Sequence, residues 1–281
     1  MTPAQIDAQY NASLQVPDPA AELAHYVRQA SRARATLRDV QDIRYGPTLA
    51  ETLDIFPADR PDAPVFVFLH GGYWRALSSK EFSGVALGLQ SQGITTVVVN
   101  YALCPAVTID EITRQIRTAL AWVLRHIRDH GGDPHRVAIG GHSAGGHLTA
   151  MALLTRWTED YGLPADPFKA AVLVSGLYDL APLRHSYLQP QIQLDDGIVQ
   201  RQSPAFHVRP CATPIRITWG GAETPEFARQ SQVFHDAWQA AGNTSELAAM
   251  PDAHHYNAIH GFESPDGDLA RWVGQALGVR A

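Results

Sequence analysis

Residues 136–154 read RVAIGGHSAGGHLTAMALL, and this stretch decides the fold. RVAIG is a short β-branched apolar run of strand character, and the segment after Ser143 is rich in Ala and Leu and has helical character. Between them, Gly141-His142-Ser143-Ala144-Gly145 matches G-x-S-x-G, the pattern of a serine held at the apex of a sharp strand-to-helix turn. So tight a turn brings backbone against backbone, and residues without a Cβ are needed where the chains approach. Gly141 and Gly145 meet that need, and Gly140 and Gly146 add room. Ser143 is expected to stand exposed at a helix N-terminus, with the Ala144 amide aimed at the same point. A phosphate cradle is the competing reading of a glycine-rich turn, but no G-K-[ST] follows. A turn that only packs a helix on a strand is the other, and the strand–turn–helix context favours a nucleophile over it.

Outward from this turn, short apolar runs alternate with helical patterns. VFVFL (65–69), ITTVVV (94–99), AAVLVS (170–175) and IRITW (215–219) read as buried strands, with ETLDIF (51–56) and SELAAM (245–250) as weaker ones. Continuous rather than alternating apolar runs suit a sheet covered on both faces. Ile109, Ile112, Ile116, Leu120, Val123 and Ile127 step by three and four along one helix, started by Thr108 with Glu111 and stopped by Gly131-Gly132. Residues 225–241 repeat the pattern, with Pro225 in the first turn and Phe227, Phe234 and Trp238 on one side. The expected fold is therefore α/β, a doubly wound, mostly parallel sheet with helices on both faces and functional groups on loops at the strand ends. With no repeat or linker to divide it, the chain reads as one domain over 1–281. The stretch 176–213 has no period and is expected to form an irregular, cap-like cover that sets specificity.

A net charge of −6 gives no electrostatic reason to expect nucleic acid. Two cysteines make no disulfide framework, the first residues lack a signal peptide's basic start and apolar run, and no apolar segment is long enough to span a bilayer. A cytoplasmic protein without membrane partners is expected; a homodimer is compatible with the sequence.

A serine is a poor nucleophile unless a base takes its proton and an acid holds that base in the right tautomer. In this strand–helix architecture the order along the chain is serine, then acid, then histidine. His147 is one helical turn past Ser143 and badly placed to reach back. His254 and His255, in MPDAHHYNAIHGF after the last strand, are the better candidates. For the acid, Glu223 follows IRITW through Gly220-Gly221-Ala222, Asp179 after AAVLVSGLY is the runner-up, and Asp252 sits on too short a loop. His254, His255 and His260 do not have the spacing of a metal site, so neither metal nor cofactor is expected.

FLHGGYWRALSSKEF (68–82) places two glycines after the first strong strand. Preorganised amides stabilise the oxyanion of a tetrahedral intermediate. Gly71, Gly72 and Ala144 are the expected donors here, with Tyr73 as a further one and His70 as a brace for the loop. Tyr73, Trp74 and His142 are the expected walls of a substrate pocket.

With HGGYW at 70–74 and GHSAGGH at 141–147, the sequence resembles the α/β-hydrolase superfamily, and within it the kynurenine formamidase (arylformamidase)-like esterases. NYALCPAVTIDEI (100–112) and SGLYDLAPL (175–183) resemble segments of the same group, and the likeness runs from about Tyr10 to the C-terminus. The family's acid lies just before a P-E-F-x-x-Q-S stretch, here 225–231, which implies Glu223; its histidine precedes an aromatic, which implies His255 before Tyr256. Two departures are a Glu where animal formamidases carry Asp, and Tyr256 in place of Phe. The resemblance implies a cofactor-free Ser143–His255–Glu223 hydrolase acting on a small ester or an aryl formamide of the N-formylkynurenine type. A general short-chain carboxylesterase is the alternative, and a non-catalytic small-molecule-binding protein on the same fold the reading from another class.

Overall fold

The structure is a computed structural model that describes residues 1–279. Each apolar run becomes a strand of one eight-stranded sheet. The strands are β1 (Val40–Arg44), β2 (Thr52–Phe56), β3 (Ala63–Leu69), β4 (Thr95–Val99), β5 (Gly132–His142), β6 (Ala170–Val174), β7 (Ile215–Gly220) and β8 (Ser245–Met250). Their order is β1-β2-β4-β3-β5-β6-β7-β8. β1 and β2 pair antiparallel, as do β2 and β4, and every pairing from β4 to β8 is parallel. The parallel sheet follows from the alternation of strands with helices, since a parallel return needs a crossover.

Ten α-helices accompany the sheet among the described residues. The first five are α1 (Pro3–Tyr10), α2 (Pro19–Thr36), α3 (Ala86–Ser91), α4 (Ile109–His126) and α5 (Ala144–Leu153). The rest are α6 (Trp157–Tyr161), α7 (Gln189–Ile192), α8 (Asp196–Gln202), α9 (Pro225–Ala240) and α10 (Asp268–Ala276). None is long and apolar enough to cross a membrane.

The period of two along each strand divides the core into two layers. Val65, Val67 and Leu69 join one apolar cluster with the stripe of α4 and with Phe227, Phe234 and Trp238 of α9. Phe66 and Phe68 face the other side, against Tyr26 and Ala33 of α2, Leu89 of α3, and Leu269 and Val273 of α10. All six residues of the stripe, five in α4 and Ile127 in the turn that follows, are buried. Thr108 caps that helix by accepting the Glu111 amide, and the chain leaves it through a 3-10 turn that ends at left-handed Gly131. Gly132 does not extend this stop; it already begins β5.

Two features depart from the sequence reading. β1 has no apolar run, because as an edge strand it is mostly solvent-exposed and offers no buried face to leave a pattern. The stretch 176–213 holds short helices, and Leu177, Tyr178, Leu180, Leu183, Leu188, Ile192 and Leu194 are buried in the core. Its irregular sequence hides core packing.

Candidate active site

The site is built from three loops at the carboxyl ends of the parallel strands. β5 ends at His142 and α5 begins at Ala144, so one residue makes the whole turn. That residue, Ser143, adopts φ 57° and ψ −119°, a sparsely populated conformation for a side chain bearing a Cβ. The turn is over-determined: the Ser143 amide donates to the Val174 carbonyl at 2.8 Å, and its carbonyl accepts the His147 amide at 3.1 Å. A Cβ on Gly145 would strike the Leu69 carbonyl, and one on Gly141 the Gly145 carbonyl, so β3, β5 and α5 meet this closely only through glycines.

The acid and the base are held by loops that are stitched to each other. Past β7 the Gly221 amide donates to the Met250 carbonyl at 2.7 Å, and the Ala222 amide to the Ala253 carbonyl at 2.9 Å. This fixes the loop after β7 against the loop after β8 and sets Glu223 opposite His255. His255 Nδ1 donates to Glu223 Oε2 at 2.7 Å, with side chains 8% and 1% exposed. Glu223 Oε1 accepts the Gly220 amide at 2.7 Å and the Ser175 hydroxyl. With Nδ1 committed to the carboxylate, neutral His255 keeps Nε2 as an acceptor. Its ring lies between His142 and Phe227, at centroid distances of 4.6 and 4.7 Å. Ser143 and His255 line one cavity. The serine–histidine hydrogen bond is not made among the described residues; such bonds commonly tighten only when substrate aligns the pair.

The other candidates go elsewhere. Asp179 lies 3.6 Å from Arg229 and shares Gln230 with Tyr178 through backbone hydrogen bonds. His254 accepts the Tyr256 and Asn257 amides on Nδ1 and turns Nε2 to Glu22 at 3.3 Å. His260 stacks on His25 at 4.1 Å, and with Glu263 these side chains bring potential ligand atoms within 4.8 Å of one another. A metal lies in the plane of each imidazole it binds. Rings stacked 4.1 Å apart at 29° share no such point at bonding distance, and His25 is already hydrogen-bonded to Glu263.

The HGGYW turn packs directly on the serine. A Cβ on Gly71 would stand 3.2 Å from Ser143 Cβ, a tight contact that would press on the nucleophile. Gly72, Tyr73 and Trp74 all have positive φ, and the Arg75 and Ala76 amides return to the Gly72 carbonyl. His70 is fully buried, stacks on Tyr101 at 4.1 Å, and bonds the Gly71 carbonyl through Nδ1 at 2.7 Å. Burial lowers its pKa to about 4, which makes it a neutral brace. Within this turn the Tyr73 and Trp74 rings meet edge to face at 6.2 Å, but only Tyr73 reaches the cavity. Tyr73 borders the cavity, and its hydroxyl donates to the Tyr10 carbonyl. Trp74 does not wall the pocket as its sequence position suggested: it is fully buried, and its indole N–H donates to His147 Nδ1 at 3.2 Å.

The cavity has a volume of about 190 Å³ and a lining that includes the aromatic side chains of Tyr26, Tyr73, Phe82, Tyr187 and Tyr256, with Arg75 beside them. His142 also borders it, as expected from its place beside the serine. Neither ring nitrogen of His142 has a partner among the described residues, and burial, reinforced by His255, lowers its pKa well below the usual value. Of the stretch 176–213 only Tyr187 lines this space, whereas the N-terminal arm supplies Ala12, Ser13, Leu23 and Tyr26. Sequence reading missed the arm because α1 and α2 are largely polar and exposed, with few buried residues to mark a face. It also missed Ser175, whose only local signal was its place directly after β6.

Comparison with known proteins bears on the family and the fold. The BD-FAE family matches residues 53–238. Kynurenine formamidase of Danio rerio is 31% identical over 235 residues, covering 81% of this chain and 78% of its own. Esterase LipQ of Mycobacterium tuberculosis is 31% identical over 241 residues, covering 76% of this chain and 56% of its own. A crystal structure from Silicibacter sp. TM1040, of a protein provisionally described as a thioesterase, superposes with a TM-score of 0.86 at 28% identity, covering 96% of this chain and 98% of that one.

Proposed function

Because the chain belongs to the BD-FAE family of α/β-hydrolases, we propose that it is a cofactor-free serine hydrolase in which Ser143, His255 and Glu223 act as nucleophile, base and acid. Ser143 attacks the substrate carbonyl while His255 Nε2 takes the hydroxyl proton. Glu223 holds the imidazole in the tautomer that leaves Nε2 free, and its charge stabilises the imidazolium as it forms. Backbone amides near Gly71, Gly72 and Ala144 receive the oxyanion. His255 then gives its proton to the leaving amine or alcohol. Water, activated by the same imidazole, releases the acyl group and regenerates Ser143.

One observation carries this reading: the 2.7 Å hydrogen bond from His255 Nδ1 to a buried Glu223, with His255 lining the same cavity as the strained Ser143, which is 2% exposed rather than standing out from its turn. Ser143→Ala should cut kcat/KM by about 10⁴-fold or more, and Glu223→Gln by roughly 10²- to 10⁴-fold through loss of the correct tautomer. Labelling of the protein by a fluorophosphonate that disappears in Ser143→Ala supports it. No labelling would favour a small-molecule-binding protein without catalysis.

For the substrate, we propose a small ester or aryl formamide, with N-formylkynurenine as the leading compound. An aromatic cavity of about 190 Å³ suits a single ring, a formyl group needs almost no acyl pocket, and an aniline-type amine leaves more readily than an alkylamine. Likeness to the Danio rerio formamidase supports it, and likeness to LipQ supports a general short-chain carboxylesterase. The ratio of kcat/KM for N-formylkynurenine to that for p-nitrophenyl butyrate decides between them, and a preference for the butyrate selects the carboxylesterase.

A further inference from the structure

Arg75 is the cation of the cavity that holds Ser143 and His255. Several other arginines of the protein meet carboxylates, as Arg34 meets Asp54, Arg114 meets Glu51 and Arg229 meets Glu226, while Arg117 bonds the Thr155 hydroxyl and Arg209 backbone carbonyls. Arg75 makes no such pair among the described residues, and its Nε is shut from solvent with no hydrogen-bond partner. Asp7 lies on the same side of the site, but it accepts the Tyr187 amide at 2.6 Å and forms no ion pair with Arg75. The side chain is held close to the Tyr187 phenol: burial raises the phenol's pKa while the Arg75 charge pulls it back. Arg75 thus lines the cavity with a phenol beside it and no carboxylate to balance its charge, and an anion docked there supplies that balance.

The surroundings define the anion. A guanidinium presents a planar fork of donors that matches a carboxylate through two parallel hydrogen bonds. One guanidinium, with no second Lys or Arg among the residues lining the cavity, fits a single carboxylate better than a phosphate. Tyr26, Phe82, Tyr187 and Tyr256 supply flat apolar walls around it. Arg75 follows Gly71 by four residues on the turn that touches Ser143, so an anion held there belongs to the same molecule whose carbonyl reaches the serine. We propose that Arg75 binds a carboxylate of the substrate, so that the preferred substrate is an aromatic formamide or ester that also bears a carboxylate. This deepens the serine-hydrolase reading and rests on it.

Two aryl formamides separate the parts of the proposal: 4-(2-formamidophenyl)-4-oxobutanoate, which carries the carboxylate, and 2′-formamidoacetophenone, the same ring without it. The wild-type protein should favour the anion in kcat/KM, and Arg75→Gln should lower that preference about 30-fold, mostly through KM, the scale of one charge-assisted hydrogen-bonded pair. Arg75→Lys, which keeps the charge and loses the fork, should fall between the two, and guards against a glutamine variant that misfolds. An unchanged preference in both variants, with Ser143 still labelled by fluorophosphonate, overturns the role of Arg75 and leaves the hydrolase reading intact. A wild-type protein that neither labels nor hydrolyses either compound overturns both.

Discussion

The N-terminal arm, residues 1–36, and the stretch 176–213 both lie outside the strand–helix alternation, and they hold opposite places in the molecule. The stretch looks like a surface cover, rich in Pro, Gln and His, yet its leucines and Tyr178 are buried and it gives the cavity one residue, Tyr187. The arm looks like a polar leader, yet it closes the cavity with Ala12, Ser13, Leu23 and Tyr26. Polar contacts hold it to both loops that carry the acid and the base. The Thr224 hydroxyl donates to the Gln9 carbonyl at 2.6 Å, the Tyr10 hydroxyl donates to Glu226, and Ser13 Oγ meets the Tyr256 hydroxyl at 3.0 Å. The Tyr26 hydroxyl adds a bond to the Tyr256 carbonyl. Irregular secondary structure and peripheral position are therefore separate properties. What sets the place of a segment is whether its side chains satisfy an apolar core or a ring of polar groups.

The contrast breaks most sharply at Leu183, fully buried in the stretch 176–213. Leu183→Ala should cost about 2–5 kcal/mol, the range for a buried leucine that leaves a cavity. Urea unfolding measures this, and KM for the substrate should stay near the wild-type value. A loss under about 1 kcal/mol together with a changed KM would make the stretch a movable lid after all.

A second test uses the point where this stretch meets the site. His147 accepts the Trp74 indole N–H on Nδ1 at 3.2 Å, so its proton is on Nε2, which donates to the Gln202 carbonyl at 2.7 Å. Protonation would set an N–H against the indole N–H, and burial accordingly lowers the pKa to about 4. His70 is lowered to about 4 for the same reason. Between that value and the ordinary histidine pKa of about 6.5, the unfolded chain binds protons that the folded one refuses. Stability is thus full above about pH 6.5 and falls as pH drops toward 4, at a limit of about 1.4 kcal/mol per pH unit for each histidine. Thermal unfolding between pH 7 and 4 measures the slope. His147→Gln, which keeps an acceptor and a donor but does not titrate, should flatten it by about one proton; an unaltered slope would remove His147 from the account.

The sheet was legible because burial on both faces writes continuous apolar runs, and all seven runs became strands. β1 was not, because an exposed edge leaves no apolar face. At the site, the serine turn was legible because its glycines answer a local steric demand, visible in five consecutive residues. The residues alone left His254 open beside His255, and Asp179 beside Glu223. That choice depends on two loops stitched by backbone hydrogen bonds, which carry no side-chain signal. Trp74 was misread because its burial depends on the left-handed backbone of the turn and on a contact with His147, 73 residues away, which residue type does not report. Glu226 is bound by Arg229 one turn along its own helix and by Tyr10 across 216 residues of sequence, a separation no local pattern reports.

The smallest effect separates the arm from the stretch most cleanly. Leu23 is 37% exposed and lines the cavity from α2. Its exposed half contributes little to folding, so Leu23→Ala should change stability by under about 1 kcal/mol. The cavity wall it forms should matter more for an aromatic substrate than for a small one. KM for an aryl formamide should rise a few-fold, about the worth of one or two buried methylenes, while KM for p-nitrophenyl acetate moves less. Leu183→Ala and Leu23→Ala are thus expected to give mirror-image results, stability without KM and KM without stability. If Leu23→Ala instead lowered stability by several kcal/mol at constant KM, the arm would be core and its polar contacts incidental, and the cover of this site would have to be sought elsewhere.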